Sequence, residues 1–548
     1  MKNKSYDSTL RVIILGAVFC TLISTSWVNK DSLLIPKLIT LFFVALFILP
    51  KMLMLLRESS GYIEIKYLIV VSVLLVGQII LVTLNSNAPF EQQLFGRTGR
   101  GLGIITYLSL IIILISTVMF TSTRNNNFFI NCFVISALLS SVYALLQSFG
   151  IDFIEWDSRT NGVIGTLGNP NFQSAFAAMA MPTSLVFFLG KKYSIFLIPI
   201  TLFIFISVII RTQSIQGIIS GVIGLSSFIL VILWFKKKIL FYSLGISILI
   251  FGSYTIVGML GHGYFGDTLN KVSVQSRGDF WRSALSTANH HPIFGVGLDS
   301  FGDYFLEFRD SRAISHPWAE FTDNAHNFFL DYAVAGGYPF MILQTSLILL
   351  VLYCFFATQS NLPKPNLFLT AIFSSWVVFQ AQSVISPGNI PMMFWNMIIS
   401  GLIIGHRILD RLSRENVLTF KDNYLSRPLS YFLLLLGLLL VSPYYNADKL
   451  QLQAMVSKNG DLAIKAAKMY PESSLRYATL TREFLDAQLY QQALELARSG
   501  VEFNAKSVAT WVLILVNPAA SIDERTNAKL RLLELDPLNP EIKNFEVK

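Results

Sequence analysis

Charge is scarce in this sequence. Only 14% of its 548 residues are Asp, Glu, Lys or Arg, against about 25% in an average soluble domain, which excludes an ordinary soluble enzyme. Cysteine is nearly absent. The three present, Cys20, Cys132 and Cys354, lie inside apolar runs, which leaves no disulfide framework, metal-type spacing or redox pair to read. What is abundant is apolar surface, at 53% of the chain. A helix needs about 20 apolar residues to cross a bilayer. Runs of that kind recur at 10–28, 32–50, 67–85, 102–121, 127–149, 171–190, 193–210, 214–235, 239–260, 326–357, 366–385, 391–406 and 428–445. These thirteen candidate helices describe an all-α polytopic membrane protein. The first run lacks a small-residue cleavage site and leads straight into the next, so it reads as a retained helix and not a removable signal peptide.

The 42 basic and 33 acidic residues leave a net +9, which in a soluble chain would suggest nucleic acid. Here the positive residues sort by side. With the N-terminus (Lys2, Lys4, Arg11) in the cytoplasm, the inner loops carry Lys51, Arg57, Lys66, Arg124, Lys191, Lys192 and Lys236–Lys238. The same alternation places Lys364, Arg407, Arg411, Arg414, Lys421 and Arg427 inside. That is the positive-inside pattern of a multi-pass membrane protein, and it assigns no nucleic-acid role.

Thirteen spans put residues 446–548 outside, following a membrane domain of residues 1–445. Composition changes there to Ala, Leu, Glu, Lys and Arg at helical spacing. Tyr470-Pro471, Phe503-Asn504 and Asp536-Pro537 recur every 33 residues, similar to tetratricopeptide repeats, whose period is about 34. An extracytoplasmic helical domain of this kind is either a plain bundle or a docking surface for a partner or acceptor.

Polar residues gather in the remaining external segments, above all the long insertion 261–325. Five of the six histidines, His262, His290, His291, His316 and His326, lie in it or at its end; His406 does not. Arg97, Arg100, Arg211, Arg277, Arg282, Arg309 and Arg312 break the positive-inside pattern. A guanidinium grips phosphate oxygens in a bidentate fork, so these arginines suit a lipid-borne phosphate. The alternatives are interfacial snorkelling or ion pairs to Asp267, Asp279, Asp299 or Asp310. Gly165-Thr166-Leu167-Gly168-Asn169-Pro170-Asn171 and Ser214-Ile215-Gln216-Gly217 open two spans with polar groups at helix N-termini, where an anion or sugar hydroxyl fits. Asp323-Asn324-Ala325-His326-Asn327 sets an imidazole at the mouth of another.

These motifs, with Ser276-Arg277-Gly278-Asp279-Phe280-Trp281, His291-Pro292-Ile293-Phe294-Gly295-Val296-Gly297 and the glycines after Ala335, occur in an order that resembles the O-antigen ligase superfamily. That group includes O-antigen ligases, polymerases of lipid-linked repeat units and bacterial O-oligosaccharyltransferases. The resemblance covers roughly residues 90–405 and is densest from 276 to 337. It implies a GT-C-type membrane glycosyltransferase that acts outside the cytoplasmic membrane on undecaprenyl-diphosphate-linked glycan, without nucleotide sugar, cofactor or metal. His326 matches the family's essential histidine and Arg277 the arginine of its long-loop motif. Arg211 stands one turn before the position where many members have Ser-Arg-Gly and this chain has Ser214-Ile215-Gln216-Gly217. The thirteenth span and external C-terminal segment depart from simple ligases and favour a polymerase or protein-glycosylating member.

Such an enzyme must hold the diphosphate, offset charge on the departing oxygen and assist an acceptor hydroxyl. The expected diphosphate ligands are Arg277, Arg211, Arg97, Arg100 and Gln216, with His326 as general base or orienting group. Asn169, Asn171, Asn327 and Trp281 are expected to touch substrate. In-line attack predicts inversion at the anomeric carbon. The external aromatics Trp156, Phe280, Trp281, Tyr304, Phe305, Trp318 and Phe321 either stack on sugars or pack the loop at the interface. Zinc held by His290, His291 and His326 would match no standard spacing. The rivals are a transporter or flippase of lipid-linked glycan and a non-catalytic scaffold for the C-terminal repeats. A transporter should place ionisable groups near the midplane of similar halves, whereas here they lie at the outer mouths of dissimilar ones.

Overall fold

The computed structural model describes residues 4–59, 61–154, 162–189, 193–259, 262–269, 272–314, 321–412 and 426–547. Lys2, Trp156, Lys191, Lys192, His316, Trp318, Arg414 and Lys421 lie outside the described residues. Among those described, secondary structure is helical throughout, as expected of a polytopic all-α protein.

All thirteen apolar runs are helices, although they differ as spans. Nine are long and apolar enough to cross a membrane: Leu34–Leu56, Ile63–Asn85, Thr123–Ser148, Ser194–Arg211, Ile215–Lys236, Lys238–Met259, Phe328–Gln359, Ile390–Arg411 and Ser426–Ser457. Ile104–Phe120 and Leu367–Ser383 are apolar but shorter, and Lys4–Leu22 and Pro170–Phe188 complete the thirteen. The nine are those among the described residues that meet both length and hydropathy. At 1.5 Å per residue, a helix of 17 residues covers only about 25 Å.

Pro170–Phe188 sits at the centre, packed against Asn126–Ser148, Ser194–Arg211, Ile215–Lys236 and Leu367–Ser383. Its sequence explains this position. Ala175, Ala177, Ala178, Ala180, Ser174 and Ser184 are fully buried, and small side chains let neighbouring backbones approach where lipid supplies no hydrophobic drive. Ile390–Leu412 is likewise enclosed, lying against Ile104–Phe120 and Phe328–Gln359. By contrast, Lys238–Met259 has an almost wholly exposed apolar surface, which suits contact with lipid.

The two ends of this body differ chemically. At one end Arg11 donates to Asn125 (3.1 Å), His406 meets Asn126 (3.0 Å) and Arg411 pairs with Glu64 (3.2 Å). At the other, the 23–31 turn, the 86–102 segment and the long insertion come together, for example through Gly99 N donating to Asp31 at 3.2 Å.

The insertion is not an unstructured loop. Val272–His290 is a helix whose Phe280, Ala284 and Ala288, spaced by four, join Val296, Phe301 and Phe305 in a core separate from that of the membrane body. The same core reaches Ala333 and Val334 at the start of Phe328–Gln359. Beyond the membrane, Ser426–Ser457 runs on into Gly460–Ala467, Ser474–Asp486, Tyr490–Phe503, Val508–Leu515 and Ile522–Leu535, each packed on its neighbour in the chain. Polar side chains cap several of these helices, with a full capping box at Ser521 and Glu524.

Candidate functional site

The polar end is built on a break in the helix Phe328–Gln359. Gly336 and Gly337 leave helical geometry there, and the segment 291–297 straps across the opening. Val296 N donates to Val334 O (2.8 Å), Gly297 N to Ala335 O (3.2 Å) and Tyr338 N to Pro292 O (2.8 Å). The Gln78 amide closes the break by donating to Ile293 O and Gly336 O, both at 2.7 Å. Glycine is required because Gly295 and Gly337 have φ of +65° and +74°. A Cβ at Gly295 would strike Val334 O, and one at Gly337 would strike Ile293 O.

The break fixes the turn before it. Asn327 caps the helix, its Oδ1 accepting from Phe329 N (3.0 Å) and Leu330 N (3.1 Å). Ala325 N donates to Asp331 Oδ1 at 2.8 Å, and His326 N to Asn324 Oδ1 at 2.9 Å. Between these anchors His326 is held at φ +50°, a conformation that costs a non-glycine residue and recurs at functional sites. Its ring stacks on Phe280, centroids 5.5 Å apart and planes at 27°. Burial first, then Arg277 and Arg100, push the imidazole down to about 4 against the opposing pull of Asp323. The ring is therefore neutral near pH 7.

Arg277 and Trp281 lie one turn apart on Val272–His290. Arg277 Nη2 donates to Gln216 Oε1 at 3.4 Å, while its Nε is buried without a partner. Burial lowers the guanidinium pKa, and among the described residues no carboxylate pairs with it. Trp281 Nε1 is another buried donor without a partner. The Gln216 amide in turn donates to Ser386 Oγ. Ser214, which caps the same helix, donates to Asn171 Oδ1 at 2.7 Å, and Asn169 caps Pro170–Phe188 by accepting from Asn171 N at 2.8 Å. Arg277, Gln216, Trp281, His326 and three helix N-termini thus meet at one end.

The other expected arginines stand differently. Arg211 is exposed, its guanidinium over the Phe149 ring at 5.1 Å. Arg97 pairs with Asp303 at 2.8 Å and Arg100 with Asp299 at 2.9 Å, with Asp323 3.7 Å from Arg100. Burial works against both charges, but these carboxylates more than offset it and raise both guanidinium pKa values. The same arginines hold Asp323 below the usual carboxylate range despite its desolvation. Arg282 pairs with Asp310 at 2.6 Å and with Asp279, and Arg309 with Asp536 at 2.7 Å.

Sequence reasoning had not singled out Asp323, Asp299, Asp303 or Ser386 as site residues. Asp323 carried a signal, being three residues before His326. Asp299 had been named only as an alternative ion-pair partner of the arginines, and Asp303 carried no signal, because Arg97 lies about two hundred residues away. Among the described residues no three His, Cys, Asp or Glu side chains gather in a metal-holding group. His290 and His291 pack around Phe308.

A helical membrane body capped at one end by a folded polar insertion, with a histidine and an unpaired arginine beneath it, defines a polytopic membrane protein with a polar site at its mouth. Residues 200–344 match the O-Antigen ligase family model, so the chain is similar to that superfamily over the segment that holds the insertion and the helix break. It is also 28% identical over 254 residues to an uncharacterized protein of Haemophilus influenzae, a match covering 42% of this chain. The chain spans 60% of the length of that curated relative.

Proposed function

We propose that this protein is a membrane glycosyltransferase. It moves glycan from an undecaprenyl-diphosphate-linked donor to an acceptor hydroxyl on a polysaccharide, lipid or protein, with its polar end outside the cytoplasmic membrane. The observation that carries this reading is Arg277, a largely desolvated cation whose Nε has no partner and which no described carboxylate neutralises. An uncompensated buried charge is costly, and an anionic ligand removes that cost. A diphosphate at Arg277, braced by Gln216, would leave its departing charge on a guanidinium rather than in water.

His326 stands beside it as a neutral imidazole, the form that accepts a proton from an attacking hydroxyl. Trp281 Nε1 supplies a free donor to a sugar or phosphate oxygen, and Asn171 and Asn327 shape the helix mouths around them. Arg211 remains available to the periphery of the same lipid head group. Arg97 and Arg100 serve instead as scaffold for Asp323 and His326, since acids already neutralise them. In-line displacement inverts the anomeric carbon, and the reaction needs no metal because the diphosphate is already a good leaving group. The C-terminal helices favour a polymerase or protein-glycosylating enzyme over a simple ligase.

The test is transfer by purified, reconstituted protein. His326→Ala is expected to lower turnover by about 10²–10⁴-fold, the usual worth of a positioned base, while donor binding persists. Unchanged turnover in that variant would sink the assignment.

A further inference from the structure

The three turns that recur every 33 residues in the C-terminal segment all land on the polar end of the membrane body. At the first, Tyr470 meets Phe95 edge-on at 6.4 Å and Ser473 Oγ lies 2.8 Å from Thr98 Oγ1. At the second, Asn504 donates to Asp303 at 3.2 Å and Lys506 pairs with Glu307 at 2.6 Å. At the third, Asp536 takes Arg309 at 2.7 Å, the two side chains only 2% and 8% exposed. A stacked helical array presents one turn per repeat along a single edge, and that edge is the one in contact here.

The surface beneath it is the underside of the candidate site. Asp303 accepts from Asn504 and also from Arg97 (2.8 Å) and Gln92 (3.0 Å). Arg97 N and Arg100 Nε both donate to Asp299, Arg100 Nη1 lies 3.7 Å from Asp323, and Asn324 ties that carboxylate to the His326 turn by donating to Asp323 Oδ1 and accepting from His326 N. Val508 packs against both the core of the insertion and that of the C-terminal helices.

We propose that the C-terminal helices are a working part of the transfer site and not a tethered accessory. In this arrangement Asn504 is a positioning residue that acts on His326 through Asp303, Arg97, Asp299, Arg100 and Asp323, and the Arg309–Asp536 pair seats the helices that present it. The proposal rests on the role given to His326 above. Opening the buried Arg309–Asp536 pair strands a charge in each half, so the seat is either made or lost.

The test uses full-length protein in proteoliposomes, with Arg309→Asp, Asp536→Arg and the double swap. Limited proteolysis after residue 457 reports whether the helices are seated. Each single swap is expected to lower kcat by about tenfold or more, as loss of a buried pair disturbs its surroundings. KM for the lipid-linked donor should stay within about twofold, because a lost positioning effect falls on the transition state. The double swap should restore both seating and kcat. If the single variants do not accumulate, Asn504→Leu removes one bond to Asp303 without stranding a charge, and a kcat lowered by about threefold at constant KM supports the same reading. Variants that unseat the helices yet turn over at the parental rate overturn the proposal and leave His326 untouched. Full activity of His326→Ala removes the underlying role instead.

Discussion

His326 brings together backbone, burial and charge at one residue. Its positive φ follows from anchors on both sides, Ala325 to Asp331 and Asn327 to the helix it caps, so the ring cannot swing away without breaking them. Desolvation and Arg277 depress its pKa to about 4. Because the neutral ring is the competent base, activity governed by His326 should be level from pH 8 to about 5 and fall only as pH drops through about 4. Removing the neighbouring positive charge raises the pKa. Arg277→Gln should therefore move the acid limb of the residual rate toward 6.5, while Arg277→Lys holds it low; a limb near 6.5 in the parent protein would contradict the burial argument.

At the scale of elements, the helix break at Gly336–Gly337 and the strap 291–297 are a matched pair. Apolar periodicity across 326–357 predicts one continuous helix, and Gly336 and Gly337 read only as glycines following a motif. The structure shows why Gly337 is needed, since the strap's carbonyls occupy the space a Cβ would take there, while a Cβ at Gly336 would meet the Phe340 side chain. Gly337→Ala should destabilise by about 1–3 kcal/mol, the usual cost of forcing a side chain into such a conformation. A lowered midpoint of thermal unfolding in detergent, with reduced transfer, checks this. In Pro170–Phe188 the enclosure also came from the structure, which buries Ala175, Ala177, Ala178 and Ala180 completely.

For the whole molecule, the two ends of the helical body differ in charge and polarity. Lys and Arg counts predict orientation from short loops alone, and the structure places Arg124, Arg407 and Arg411 at the end opposite His326. A periplasmic-active reporter fused after Tyr445 should score active, and a cytoplasmic score would invert the scheme. The thirteen apolar runs were legible because burial in lipid needs nothing but length and hydropathy. The insertion was legible as polar, but its helix and core were not, since a core of Phe280, Val296, Phe305 and Val334 joins segments distant in the chain.

The sequence by itself determined that this is an all-helical membrane protein and where its polar groups concentrate. These follow from composition and local order, which a linear chain records directly. Only the tertiary structure decided which arginines are free to meet an anion. Arg97, Arg100 and Arg309 find carboxylates about two hundred residues away in the chain, Arg282 finds Asp279 and Asp310 nearer by, and no described carboxylate reaches Arg277. Charge pairing depends on distance in space, so seven arginines that look alike in sequence take different roles in the fold.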